Sequence, residues 1–492
     1  MRIRGDRPVL VFLVLYALAA RLTMAFVIPP WQGPDEPRRF EYIRLLVDMR
    51  DQLLAERRLL RVGDESPAIE GPVIDSLFRN HFWEYQGRRP PETRPRDFYA
   101  IWGEEGIQLH RPSLYYFPAA ALVAAFPGQS VEGQLLLIRL TSVVFSAATV
   151  IITYITARRL FPDDRFIRLA SAALVATLPM HIFMGGMLNN DNLLTLVGGF
   201  VSLALVAAFR RGVSVRTWSI ALLTVVITLA TKRAAVGLLP AFLAAVIVVL
   251  FSKLRGRTVR LGVVATLFIT GTLATLLLIP YNPIGALARE ALPLVSWAQD
   301  VFLDYTTNGN GGQLVRLMQV SFIFRAPDTT ALLLLYVDSL FRSFWGIFGW
   351  WTVPLDAWLY AVLALGSVAC IAGFFLWLVG VLSRRGFTDV TGHRQQLAGV
   401  FILCVSIASV AMLAMLERLG YYDPRTIPQG RYLFVVMTPI AILYGLGAST
   451  LLPPAWRAKP TAIVLTILTL IALDVFVYVH HIMPAFVTRT FS

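Results

Sequence analysis

Asp35 and Glu36 stand side by side in Pro29-Pro30-Trp31-Gln32-Gly33-Pro34-Asp35-Glu36-Pro37, directly after a run of apolar residues. The prolines stop the backbone from continuing as a helix. A carboxylate pair held at the mouth of a membrane protein can act as a base on a substrate approaching from outside. General base help of that kind is typically worth about 10²–10⁴-fold. Pro37 gives the pair a second role, because an acid followed by proline is also a good helix start. The two roles are compatible.

The elements that must position this pair follow from composition. The chain has 492 residues, 57% hydrophobic and 15% charged, against about 25% charged in soluble domains. Several apolar runs reach the ~20 residues that cross a bilayer. Spans are expected near 9–28, 134–157, 166–185, 191–209, 217–231, 234–251, 261–280, 357–382, 397–416, 432–450 and 461–481. The fold class is therefore an all-α polytopic membrane protein with about eleven transmembrane helices. Cys370 and Cys404 both fall in apolar runs and give no disulfide framework.

The net charge of +14 is a matter of topology. Alternate connections carry Arg2, Arg4 and Arg7; Arg158, Arg159, Arg165 and Arg168; Arg210, Arg211 and Arg216; Lys253, Arg255, Arg257 and Arg260; Arg384, Arg385 and Arg394; and Arg457 with Lys459. Only Asp6, Asp163, Asp164 and Asp389 oppose them. The positive-inside rule then places the N-terminus in the cytoplasm. A nucleic-acid partner is excluded by the same distribution, and the bilayer is the surface the charge addresses. Residues 1–28 resemble a signal peptide but read better as an uncleaved first span.

The organisation expected is a first helix over 1–28, a first extracytoplasmic loop over 29–135, helices two to seven over 136–280, a second large loop over 281–356, and helices eight to eleven with a tail over 357–492. Within the first loop, Tyr42, Leu46, Met49 and Leu53 recur at helical spacing, which suits a helix lying on the membrane surface. Residues 63–110 are expected to form a small irregular cap, and the stretch to Phe126 a half-buried helix. In the second loop, the run from Phe344 to Trp351 fits an interfacial belt or a groove beside lipid.

Five pieces, in order, carry a resemblance. They are Pro-Pro-x-x-Gly-Pro-Asp-Glu-Pro at 29–37, Pro-x-Leu-Tyr-Tyr at 112–116, Asn-Asn-Asp at 189–191, Ser-Phe-Trp-Gly-x-Phe-Gly-Trp at 343–350 and Gln-Gly-Arg-Tyr at 429–432. Together they resemble the GT-C superfamily of membrane glycosyltransferases, and within it a bacterial family of largely uncharacterised membrane proteins. The family pattern implies a His shortly after the acidic pair; this chain has Arg38-Arg39 there.

The resemblance implies a GT-C type bundle with amphipathic helices in its extracytoplasmic loops. It also implies an enzyme of the bacterial cytoplasmic membrane, a hexosyl- or pentosyltransferase whose active site is extracytoplasmic. A sugar would pass, with inversion, from a polyprenyl-phosphate donor to a hydroxyl on a cell-envelope acceptor (lipid, polysaccharide or protein). Asp35 would be the general base, and Glu36 would position the acceptor or support Asp35. Lys232, Arg233, Arg342 and Arg431 would hold the donor phosphate; snorkelling toward water is the plainer role for such cations. Gly430 beside Arg431 would permit close approach of a ligand; Arg39 could help hold the phosphate, although surface charge is its plainer reading. Asp191, His110 and Tyr115 would contact the acceptor or support the site. Asp191 is equally suited to cap the helix it begins. No cofactor is expected to be required, although Asp35 and Asp191 could hold a divalent cation, Mg or Mn.

His181 and Asp474 lie within apolar spans, where a polar residue invites a functional reading and helix-to-helix hydrogen bonds explain it as well. The rival functions are a lipid flippase or transporter, and a glycan ligase or polymerase using a polyprenyl-diphosphate donor. A transporter would carry internal repeats and midplane charges, which this sequence does not display. A diphosphate donor would call for more cations.

Overall fold

The computed structural model describes residues 5–61, 63–103, 113–211, 215–253, 329–383, 390–419, 428–457 and 459–489. The architecture is all-α. Among the described residues the only strands are the two-residue pair Ile347–Phe348 and Val353–Pro354, antiparallel in the second loop. Seven helices among these residues are long and apolar enough to cross a membrane: Arg7–Val27, Val131–Leu160, Asp191–Ala208, Ala357–Ser383, Gln395–Met415, Gly430–Leu451 and Pro460–Val487. The bent pair Arg165–Thr177 and Pro179–Gly185 makes an eighth if counted as one span. The expected spans at 217–231 and 234–251 are apolar helices of fewer than 18 residues. The expected span at 261–280 lies outside the described residues, as do His110 and most of the second loop.

The bend of 56° falls at Leu178–Pro179. Proline removes a donor and pushes the preceding residue out of helical geometry, and Leu178 is accordingly extended, with ψ 115. The carbonyls left open by the break are answered from the first helix. Arg21, fully buried, donates to Val175 O at 3.0 Å and Ala176 O at 3.2 Å, and it also meets Ser146 Oγ at 2.6 Å and His181 Nδ1 at 2.8 Å. Tyr16 donates to Asp474 at 2.5 Å. His181 and Asp474 are thus tied into contacts between helices, as their place in apolar spans leads one to expect.

Small residues set the closest helix approach. A Cβ at Gly447 would stand 1.9 Å from Cys370 O, so the helix Met437–Leu451 packs backbone to backbone on Ala357–Ser383, as membrane helices with small interface residues do.

The first loop forms a helical cap. Helices Glu36–Asp48 and Arg50–Glu56 follow the acidic pair, then Pro67–Arg79, Phe82–Tyr85, Phe98–Trp102 and Tyr116–Ala125. Region 63–103 is therefore more helical than its mixed composition implies. The segment read as lying on the membrane surface instead buries Phe40, Tyr42 and Ile43 in the cap's own core, with Trp31, Ile74 and Tyr116. The aromatic run of the second loop docks there as well: Trp350 Nε1 donates to Trp31 O at 2.9 Å.

Candidate functional site

The site begins with backbone geometry. The first helix ends at Val27, and the proline-rich turn brings the chain back into the helix Glu36–Asp48. Asp35 takes the left-handed conformation, φ 64 and ψ 11, which Asp adopts more readily than most residues. Although Asp35 precedes the first turn of that helix, its side chain makes no capping hydrogen bond. The carboxylate is aimed elsewhere.

Two guanidinium groups meet the same oxygen of Asp35. Arg39 Nη2 is 2.9 Å from Oδ2 and Arg431 Nη2 is 3.4 Å from it. The Asp35 side chain stays 32% exposed, whereas Arg39 and Arg431 are 5% and 7% exposed. Burial pushes the Asp35 carboxyl up, but Arg39, Arg431, Lys232 and Arg38 together outweigh it and hold it at about 2. Asp35 is therefore ionised at any physiological pH.

Asp191 faces the same cations. Lys232 Nζ lies 2.5 Å from its Oδ1, and the Asp191 side chain is 3% exposed. The capping role open to Asp191 falls to Asn189, whose Oδ1 accepts from Asp191 N at 2.8 Å. Asn192 Nδ2 pins the turn by donating to Met184 O at 2.8 Å and Asn189 O at 3.1 Å. Lys232 sits at the break between the helix Val215–Thr231 and a 3-10 turn, Arg233–Leu238. Arg431 opens another 3-10 turn, Gly430–Val436. Both cations thus stand where a span starts irregularly, with Tyr432 beside each: its ring centroid is 5.9 Å from Lys232 Nζ and 5.8 Å from Arg431 Cζ.

A group of buried polar atoms here has no hydrogen-bond partner among the described residues: Arg39 Nε, Arg431 Nε and Nη1, Asp191 Oδ2, Asn189 Nδ2 and Asn190 Oδ1. Buried polar atoms are nearly always paired, so a concentration of unpaired ones beside paired charges marks a place for a polar ligand.

The other residues singled out from the sequence lie differently. Glu36 is fully buried and held in an ion pair with Arg139, Nη2 to Oε2 at 2.7 Å; neither of its oxygens is offered to the Asp35 group. Arg342 pairs with Asp338 at 2.8 Å on an exposed face and lies over the Tyr360 ring, with no contact to Asp35 or Asp191 among the described residues. The backbone of Arg233 opens the 3-10 turn beside Lys232. Tyr115 is buried with its hydroxyl 2.7 Å from Ser142 Oγ. Gly430 meets protein and no open space: a Cβ there would stand 2.1 Å from Phe344 N. Its small size serves packing on the helix Thr329–Trp345, to which Gly430 N is also bonded through Ser343 Oγ at 2.7 Å.

Two residues that matter are legible only weakly or not at all from the sequence. Arg39, for which surface charge is the plainer reading, is buried against Asp35. Arg139 is a lone arginine in an apolar helix with no motif around it.

Asp35 and Asp191 both face basic side chains, and among the described residues no group of three or more His, Cys, Asp or Glu is placed to hold a metal ion.

Residues 93–443 match the family described as "Predicted membrane protein (DUF2142)", and the chain belongs to that family. No curated protein matches the sequence. Among solved structures, the Archaeoglobus fulgidus oligosaccharyltransferase in apo form aligns with TM-score 0.48 and 14% identity, over 99% of this chain and 55% of that one. ArnT from Cupriavidus metallidurans bound to undecaprenyl phosphate aligns with TM-score 0.43 and 14% identity, over 99% and 66%. The archaeal oligosaccharyltransferase AglB from A. fulgidus, in complex with an inhibitory peptide and a dolichol-phosphate, aligns with TM-score 0.46 and 13% identity, over 94% and 55%. The chain spans between about half and two thirds of the length of these proteins. All three scores lie below 0.5, too low for a residue of those proteins to lend its role to one here.

Proposed function

We propose that this membrane protein is a glycosyltransferase of the GT-C type, transferring a sugar from a polyprenyl-phosphate carrier to an acceptor hydroxyl on the extracytoplasmic side. The observation that carries the reading is the basic cradle around an ionised, partly exposed Asp35. Arg39, Arg431 and Lys232 stand against Asp35 and Asp191, with Arg38 adding to the same field, which leaves positive charge in excess. A sugar phosphodiester bears one negative charge. Its oxygens would satisfy the open N–H groups of Arg431 and Arg39, and guanidinium groups suit phosphate geometry.

The chemistry follows from this placement. The carrier phosphate is a good leaving group and needs cations as its charge develops, a form of stabilisation that often contributes more to catalysis than any other. The acceptor hydroxyl is the poor partner and needs a base. In the free protein Asp35 is a weak base, held at about 2 by its cations. A phosphodiester bound on Arg431 and Lys232 supplies them with another counter-ion and lifts part of that field, which strengthens Asp35. Asp35 then takes the hydroxyl proton while the hydroxyl oxygen bonds to the anomeric carbon. The bond from that carbon to the phosphate oxygen breaks, and polyprenyl phosphate leaves with the electron pair. One displacement inverts the anomeric centre. The basic connections face the cytoplasm in this reading, and no metal ion takes part.

The test uses protein in nanodiscs, undecaprenyl-phosphate carrying labelled sugars, and cell-envelope extract as acceptor. Release of undecaprenyl phosphate that depends on the protein and is lost in Asp35→Asn supports the function. A protein that binds undecaprenyl phosphate no better than undecaprenol, and releases none from any sugar tested, is not this enzyme.

A further inference from the structure

Glu36 and Arg139 form a hydrogen-bond set with nothing left over. Glu36 Oε1 accepts from Arg139 Nε at 2.9 Å and from Leu188 N at 2.9 Å. Its Oε2 accepts from Arg139 Nη2 at 2.7 Å and from Gly33 N at 3.1 Å. Arg139 Nη1 donates to Ala25 O at 3.2 Å and Ile28 O at 2.7 Å, and Nη2 donates to Pro29 O at 3.0 Å. All five guanidinium hydrogens and all four carboxylate acceptor positions are thereby used.

These contacts join three segments far apart in sequence. The carbonyls of Ala25, Ile28 and Pro29 close the end of the first helix, whose last turn has no partners of its own. Gly33 belongs to the turn that presents Asp35, and a Cβ there would collide with Glu36 Cδ at 2.6 Å. Leu188 immediately precedes Asn189-Asn190-Asp191. Arg39 takes the other side of the same residue, donating from Nη1 to Leu188 O at 3.3 Å and to Pro34 O at 3.0 Å. The backbone on both sides of Leu188 is therefore held by side chains from the helix that Asp35 introduces.

We propose that Arg139 is a positioning residue: acting through Glu36, it fixes the Asp35 turn against the Asn189–Asp191 turn, so that both carboxylates face one set of cations. A pair serving only to close the first helix would have no need to reach Leu188. This inference rests on the reading of Asp35 as the base, but the geometry can be tested without turnover.

The experiment is hydrogen–deuterium exchange on the full chain in nanodiscs, comparing wild type with Arg139→Gln. In the wild type Arg139 touches neither Gly33 N nor Leu188 N. Exchange at both amides should nevertheless rise together in the variant, by about fivefold or more, as expected when a local opening becomes easier. Exchange that rises only near residues 25–29 overturns the proposal. Should Arg139→Gln fail to fold, Arg139→Lys carries the same measurement, since an ammonium keeps the charge but lacks the planar fork. In the folded variant kcat should fall about 10- to 100-fold, the scale of a small misplacement, while affinity for undecaprenyl phosphate changes by less than about threefold. Unchanged kcat in a folded variant with loosened turns also overturns it. If wild type releases no undecaprenyl phosphate at all, the proposed function fails, and the exchange data still decide on the clamp.

Discussion

Asp35 and Glu36 are neighbours in sequence and opposites in structure. Around Glu36 every donor and acceptor is matched, and the pair with Arg139 is shut away from solvent. Around Asp35 the hydrogen bonding among the described residues is incomplete, with open atoms on Arg39, Arg431, Asp191 and two asparagines. A saturated cluster has nothing to give a ligand, whereas an unsaturated one is held in place by structure around it and completed by what it binds. The difference teaches that the acid pair divides its labour: one carboxylate secures the backbone and the other is left exposed for chemistry.

The comparison breaks most visibly through Asp35→Asn. Turnover of a labelled undecaprenyl-phosphate sugar should drop by about 10²- to 10⁴-fold. Next comes Glu36→Ala, which should act on stability. Removing one partner of a buried ion pair costs about 3–5 kcal/mol, and the loss should appear in denaturation of the purified protein. By contrast, Asn190→Ala, on the unsaturated side, should leave the melting temperature nearly as it was.

Arg431→Gln sharpens the contrast further. It should weaken binding of undecaprenyl phosphate by about tenfold or more, the worth of a charge-assisted hydrogen bond to phosphate. In the same variant the Asp35 carboxyl rises, since Arg431 is among the cations that hold it down. The acid limb of kcat/KM should therefore move to higher pH. The smallest effect concerns the cap. Burial, with Glu70 and Glu65 nearby, pushes the Glu41 carboxyl well above its usual 4.5. A raised carboxyl binds its proton more tightly in the folded state, so its stabilisation is present below 4.5 and is lost as pH rises toward the folded value. Melting temperature should fall from about pH 5 upward in wild type, and Glu41→Gln should flatten that slope.

Much of this arrangement could be read from the chain. Apolar length gave seven of the eleven expected spans among the described residues, and residue type picked out Asp35, Asp191, Lys232 and Arg431, which do converge. What the sequence did not reveal is partnership. Arg431 lies 396 positions from Asp35, and nothing local says which acid a distant arginine will meet. Arg39 looked like surface charge because an arginine four residues after an acid on a polar helix is usually exposed. It is buried where its helix meets the turn at Leu188, whose carbonyl it binds. Arg139 was invisible for a related reason: a single cation in an apolar helix has the same signature whether it snorkels or closes a helix end. Gly430 was misread in kind, since a small residue can make room for a neighbouring helix as well as for a ligand.

Arg21 fills the kink at Pro179 from the first helix, and Arg139 grips the end of that same helix. One rod thus serves as a keel to which both the bilayer-embedded bundle and the cap are riveted. Heating should consequently produce a single calorimetric peak, with the two regions melting as one unit, and Arg139→Gln should split that peak in two.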